Sequence, residues 1–113
     1  MSTFEYEMTD LLSLALSERA AVLCLHAGKP PVLTLHAEPH TVEGPVITAQ
    51  NAESLLRGVA DSRQIRQLRA AGRIEFVHTF RDTAFRVRVC AELEGIHIDL
   101  RRLRAQPLET TSP

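Results

Sequence analysis

Apolar and polar positions alternate with two different periods along this chain, and the change of period divides it. Phe4, Met8, Leu11, Leu12 and Ala15 recur as one stripe at helical spacing, which predicts a first helix ending near Ser17-Glu18. Ser2 or Thr3 is placed to cap it, and Glu5 and Glu7 suit the positive end of its dipole. Val22 to His26 is a short run of β-formers and reads as a strand. Ala27-Gly28-Lys29-Pro30-Pro31 breaks it, because two prolines remove backbone donors and exclude helix. Val32 to His36 reads as a second strand. The stretch from Ala37 to Pro45 reads as a loop with one short edge strand around Thr41-Val42. Thr48 is a good helix cap, and Ala52, Leu55, Leu56, Val59 and Ala60 follow at helical spacing. Asp61 or Ser62 starts another short helix carrying Ile65 and Leu68, which Gly72 closes.

The last third changes to a period of two. Ile74, Phe76, His78 and Phe80 form one alternating set, Phe85, Val87 and Val89 a second, and Ile96, Ile98 and Leu100 a third. Three strands on short connections predict an antiparallel meander. Taking Glu92-Leu93-Glu94-Gly95 as the last connection sets a register: Ala91 faces Ile96, Cys90 faces His97, Arg88 faces Asp99 and Arg86 faces Arg101. That register puts Phe85, Val87, Val89, Ile96, Ile98 and Leu100 on one face and is self-consistent. Strands and helices in this order, without regular βαβ alternation, predict an α+β fold with helices packed on an antiparallel sheet.

Composition adds bounds. The 113 residues suit one domain, read here as 1–105, followed by a polar, flexible tail over 106–113. A net charge of -1 argues against non-specific nucleic-acid or anionic-membrane binding. Two cysteines, Cys24 and Cys90, make no disulfide framework, and no apolar run approaches a membrane span. The acidic start at Glu5 and Glu7 is unlike a secretory signal, so a cytoplasmic protein with reduced thiols is expected. The basic residues are 12 arginines and the single Lys29, which reflects either coding bias or the use of arginine as a planar contact residue.

Candidate chemistry is sparse. Gly28-Lys29 has Leu23 where a P-loop needs glycine and Pro30 where it needs Ser or Thr. His36 and His40 are four apart, but Pro39 between them excludes a shared helical face, and no metal site or cofactor is expected. His26, His78 and His97 fall in strands, where a hydrogen-bonded structural histidine is the commoner case. Cys24 and Cys90 sit in apolar runs and read as small hydrophobes. Ser13, Ser17, Ser54 and Ser62 show no nucleophile-elbow pattern. The last hairpin is more informative. Its second face displays Arg86, Arg88, His97, Asp99 and Arg101. The plain reading is a solvated face with a cross-strand Arg88–Asp99 pair, and this is favoured on sequence grounds. The functional reading is a surface that docks an anion or an acidic partner.

Six ordered segments, Asp10 to Ala15, Ala20 to Leu33, Gly44 to Gln50, Gly72 to Phe76, Ala84 to Val89 and Leu100 to Leu103, together resemble the N-terminal region of the PilT-type pilus-retraction ATPases. Asp10-Leu11-Leu12-Ser13-Leu14-Ala15 resembles their "D-E-L-L-x-x-A" helix. The stretch from Ala20 to Leu33 is similar to "A-S-D-L-H-L-x-x-G-x-P-P-x-x-R", and Gly44 to Gln50 to "P-x-L-T-x-E/D". Gly72-Arg73-Ile74-Glu75-Phe76 resembles "G-E-x-D-F", Ala84 to Val89 resembles "R-F-R-V-N-x", and Leu100-Arg101-Arg102-Leu103 resembles "L-R-x-I/L". The match is colinear from Asp10 to Leu103. It departs from the pattern at Val22 and Cys24, where the family has Asp and His, at Thr34 or a neighbour, where it has Arg, and at Arg88, where it has Asn.

The resemblance implies a PAS-like domain that, in the family, precedes a RecA-like ATPase module and packs on a neighbouring subunit. Arg86 and Arg101 match the arginines of "R-F-R-V" and "L-R", which implies a contact role for them. These 113 residues hold no Walker A, Walker B, Asp-box or His-box motif, so no enzymatic activity is expected. The leading expectation is a stand-alone, non-catalytic adaptor. Its partner would be a protein, either a motor of type IV pilus twitching motility or secretion, or a second copy in a homodimer. The alternative is a PAS-like module that binds a nucleotide or other anion through Arg86, Arg88, His97 and Arg101.

Overall fold

A computed structural model describes residues 5–103. In chain order these form α1 (Met8–Ser17), β1 (Val22–His26), β2 (Val32–Leu35), β3 (Glu38–Thr41), α2 (Ala49–Arg57), α3 (Ser62–Ala71), β4 (Arg73–Phe80), β5 (Thr83–Glu92) and β6 (Gly95–Arg102). The strands make one six-stranded sheet in the order β3-β2-β1-β6-β5-β4, with every neighbouring pair antiparallel. The expected α+β, PAS-like architecture is present: two outer meanders join through β1 and β6, and α2 and α3 lie between them in sequence. No helix among the described residues is long and apolar enough to cross a membrane.

All three helices pack on one side. α1 lies against β1, α2 against β6, and α3 against β4 and β5. The alternation explains why. Leu23 and Leu25 of β1, Leu33 of β2, Phe85, Val87 and Val89 of β5, and Ile98 and Leu100 of β6 are buried on the helix side. They meet Leu11, Leu12 and Ala15 of α1 and Ala52, Leu55 and Leu56 of α2 in one continuous core. Leaving that core exposed would cost each large side chain about 1.5–3 kcal/mol, so the period-two pattern fixes which face turns inward.

Local signals explain the boundaries. Thr48 Oγ1 accepts from the Asn51 N–H at 2.9 Å, capping α2. At α3, Asp61 and Gln64 form a reciprocal capping box, and Gly72 ends the helix in the left-handed conformation. The last hairpin has the expected register at all four pairs, including Arg88 opposite Asp99 and Arg86 opposite Arg101. Its connection is tighter than expected, because Glu92 and Gly95 still pair and only Leu93-Glu94 turn.

Two expectations need correction. The first helix starts at Met8, not near Phe4, and Glu7 at its N-cap makes no side-chain cap. Asn51 is responsible: its Oδ1 accepts from Tyr6 N–H at 2.8 Å and its Nδ2 donates to Tyr6 C=O at 3.0 Å, which takes Tyr6 out of any helical ladder. The edge strand is Glu38–Thr41, not Thr41-Val42. His36 and Ala37, with φ of 52° and 69°, turn the chain at once, and Pro39 is tolerated because β3 is an edge strand. The proposed caps Ser2 and Thr3, Phe4 and the 106–113 tail lie outside the described residues.

Candidate functional site

With every helix on one side, the other side of the sheet carries no covering element among the described residues. Strand pairing arranges its side chains in rows. One row runs Thr34, Val22, Arg101, Arg86, Val77 across β2, β1, β6, β5 and β4. The next runs Val32, Cys24, Asp99, Arg88, Glu75. The third runs His26, His97, Cys90, Arg73. All five sequence-predicted site residues therefore share this face, over adjacent strands β5 and β6. Four arginines stand against two carboxylates here, while the whole chain carries -1, so the face is basic against an acidic remainder.

Glu75 organises the β4 side. Arg86 Nη1 donates to its Oε2 at 2.9 Å, and Arg88 Nε lies 3.5 Å from the same oxygen. The hydrogen bond from Arg86 holds the Glu75 carboxyl below the usual range, with the Arg88 charge acting in the same direction. All three side chains are well exposed, so these pairs are weak in energy and leave guanidinium donors open. Among the described residues Arg101 forms no ion pair.

The expected Arg88–Asp99 ion pair is not among those formed, although the two residues are directly opposite. Each has a nearer partner on its far side. Arg88 turns to Glu75, its register partner on β4. Asp99 turns to β1, where its Oδ1 lies 3.0 Å from His26 Nε2. The reading of His26 as a hydrogen-bonded strand histidine is thus met, with a partner 73 residues away. His97, opposite His26, stacks its ring on that imidazole with centroids 4.2 Å apart and planes 7° from parallel.

The cysteines are not core residues. Cys24 and Cys90 are only partly buried, and alternation sends both to the open face. Burial pushes the Cys24 thiol up to about 11, and the Asp99 carboxylate, as a charge and as a hydrogen-bond acceptor, pushes the same way against Arg101. This is the reverse of an activated nucleophile, whose pKa is lowered. The sequence had assigned Cys24 to packing because β1 reads as a continuous apolar run. Its strict alternation with Leu23 and Leu25 was the available signal.

On the helix side, a cleft between α2, α3 and the ends of β5 and β6 is lined by Leu56, Ile65, Leu68 and Ile96 and holds only about 140 Å³. Ligand pockets run to about 300–1,000 Å³, so this cleft is small for a nucleotide.

No protein-family model and no curated protein matches the chain. Solved structures do. The pilus retraction motor PilT with bound ADP superposes over 90% of this chain and 30% of its own, with TM-score 0.80 and 22% identity. The DotB ATPase of Legionella pneumophila superposes over 95% of this chain and 32% of its own, with TM-score 0.78 and 17% identity. The chain has the PilT-type N-terminal fold. DotB of Yersinia pseudotuberculosis agrees, over 100% of this chain and 35% of its own, with TM-score 0.74 and 18% identity. The chain thus spans about a third of the length of these ATPases. In this fold Arg86 and Arg101 sit side by side on the open face, as the hairpin register predicts.

Proposed function

We propose that this chain is a non-catalytic interaction domain that docks on a protein partner through the open face of its sheet. The observation behind this reading is the one-sided architecture: three helices cover one face, and the other presents Arg73, Arg86, Arg88 and Arg101. Guanidinium groups with unused donors suit planar, bidentate recognition of carboxylates. The partner is accordingly an acidic protein surface. The PilT-type fold and the contact role that the motif resemblance implies for Arg86 and Arg101 support a pilus-retraction or secretion ATPase as that partner. The expected setting is the cytoplasm.

Affinity capture from the native cell tests this. Wild-type protein recovers an ATPase of the pilus or secretion class, and the Arg86→Glu/Arg101→Glu variant does not. Recovery of no such ATPase, or equal recovery by the variant, counts against the reading.

A second reading has one observation in its favour. Val22, Cys24, Thr34, Arg86, Arg88, Asp99 and Arg101 line a depression of about 350 Å³ on the same face, where a phosphate group would meet three guanidiniums. Asp99 at its rim works against an anion, and no aromatic side chain lines it to stack a base, so we rank this below protein docking. A thermal shift with a nucleotide panel separates the two.

A further inference from the structure

The side chains of Cys24, His26 and Asp99 converge on the open face. Their ligating atoms, the thiol sulfur, an imidazole nitrogen and a carboxylate oxygen, all lie within 4.8 Å of one another. We propose that they form a three-ligand site for a divalent transition-metal ion of the zinc type, with a fourth position open to solvent.

The backbone does most of the assembly. Cys24 and His26 are two apart on β1, so alternation sends both to the same face. Asp99 is the register partner of Cys24 on β6, directly across one strand gap. His26 Nε2 already faces Asp99 Oδ1 at 3.0 Å. Tetrahedral bonds of about 2.0–2.3 Å place ligand atoms roughly 3.3–3.7 Å apart. The present spacing of up to 4.8 Å contracts by about 1–1.5 Å on binding. His97 stacks on the His26 ring and restricts its rotation, which is how a neighbouring residue orients a ligand. The site is also reachable: the His26 and Asp99 side chains are 29% and 46% exposed.

Donor chemistry selects the ion. A thiolate with an imidazole is a soft to borderline set that suits Zn²⁺ or Co²⁺, and one carboxylate is too few oxygens for Ca²⁺ or Mg²⁺. Local electrostatics point the same way. The Asp99 carboxylate, opposite Cys24 across one strand gap, is a negative charge that favours a dication. Arg101 is the opposing charge; Arg88 is drawn off toward Glu75. The site is separate from the docking reading: loss of either leaves the other standing.

The test uses untagged, reduced protein titrated with Co²⁺ as a spectroscopic stand-in, then with Zn²⁺ against a chromophoric chelator. The expected result is one equivalent of Co²⁺ with a near-ultraviolet thiolate charge-transfer band and visible bands of a four-coordinate site, all bleached by Zn²⁺. Cys24→Ser removes the charge-transfer band. Asp99→Asn and His26→Asn each weaken Zn²⁺ binding at least about tenfold. Cys90→Ser changes nothing, and circular dichroism confirms that each variant is folded. The proposal is overturned if no thiolate band forms, if the band survives Cys24→Ser, or if Zn²⁺ binds wild type and Asp99→Asn alike.

Discussion

Asn51 grips the backbone of Tyr6 from both sides, accepting from its N–H at 2.8 Å and donating to its C=O at 3.0 Å. The amide is 2% exposed and belongs to α2, while Tyr6 precedes α1 by two residues. One buried side chain thus joins the entry of the first helix to the second, and Tyr6 Oη adds a 2.6 Å bond to Pro45 C=O.

Asn51→Leu removes both bonds and leaves two backbone groups without these partners. A loss of about 2–3 kcal/mol is expected in urea unfolding, with increased amide exchange along α1. Unchanged stability would show that this clamp is not a structural element.

Gly95 opens β6 at φ +138°, with Ala27 and Ala49 against it. A Cβ there would lie 2.8 Å from the Ala27 Cβ, closer than packing permits. Gly95→Ala is expected to cost about 1–3 kcal/mol through strain and contact together. The thermal midpoint reads it.

The Cys24 thiol, pushed up to about 11, is expected to be a slow nucleophile. At pH 8 roughly a thousandth of it is thiolate, against about a quarter of an ordinary thiol. Iodoacetamide alkylation in a Cys90→Ser background measures this. Asp99→Asn removes one of the upward pushes, so alkylation accelerates at fixed pH.

The folded-state pKa of Glu75 is lowered, so its ion pairs contribute stability above the ordinary glutamate value of about 4.3 and lose it as pH falls through the lower folded value. Glu75→Gln abolishes that acid-side component. The stability change at neutral pH is small because the group is exposed. Affinity for an acidic partner rises, because Arg86 and Arg88 are released. Thermal midpoints from pH 7 to 3 check the first outcome and binding isotherms the second.

Much of the fold is legible in the sequence because alternation, caps and turn-breakers agree. The period-two run from Ile74 to Leu100 gives three strands, their inward faces and the register of the last hairpin. Thr48, Asp61 and Gly72 mark helix ends by side-chain chemistry. Two hairpins are harder to read: His36-Ala37 and Arg81-Asp82 take positive φ without the glycine that usually signals such turns. The arginine face is visible because β5 and β6 are adjacent in sequence. The Cys24–His26–Asp99 convergence is not, since β1 meets β6 only after the whole chain has folded. Nothing local in Asp99 tells that its carboxylate will choose His26 over Arg88.

Isothermal titration of the cell's own purified PilT-type or secretion ATPase into this protein tests the docking role most directly. Saturable binding that weakens with added salt, and that disappears with Arg86→Glu/Arg101→Glu while the thermal midpoint holds, is the expected result. No heat of binding with wild type, or an isotherm that the double charge reversal leaves unchanged, would contradict it.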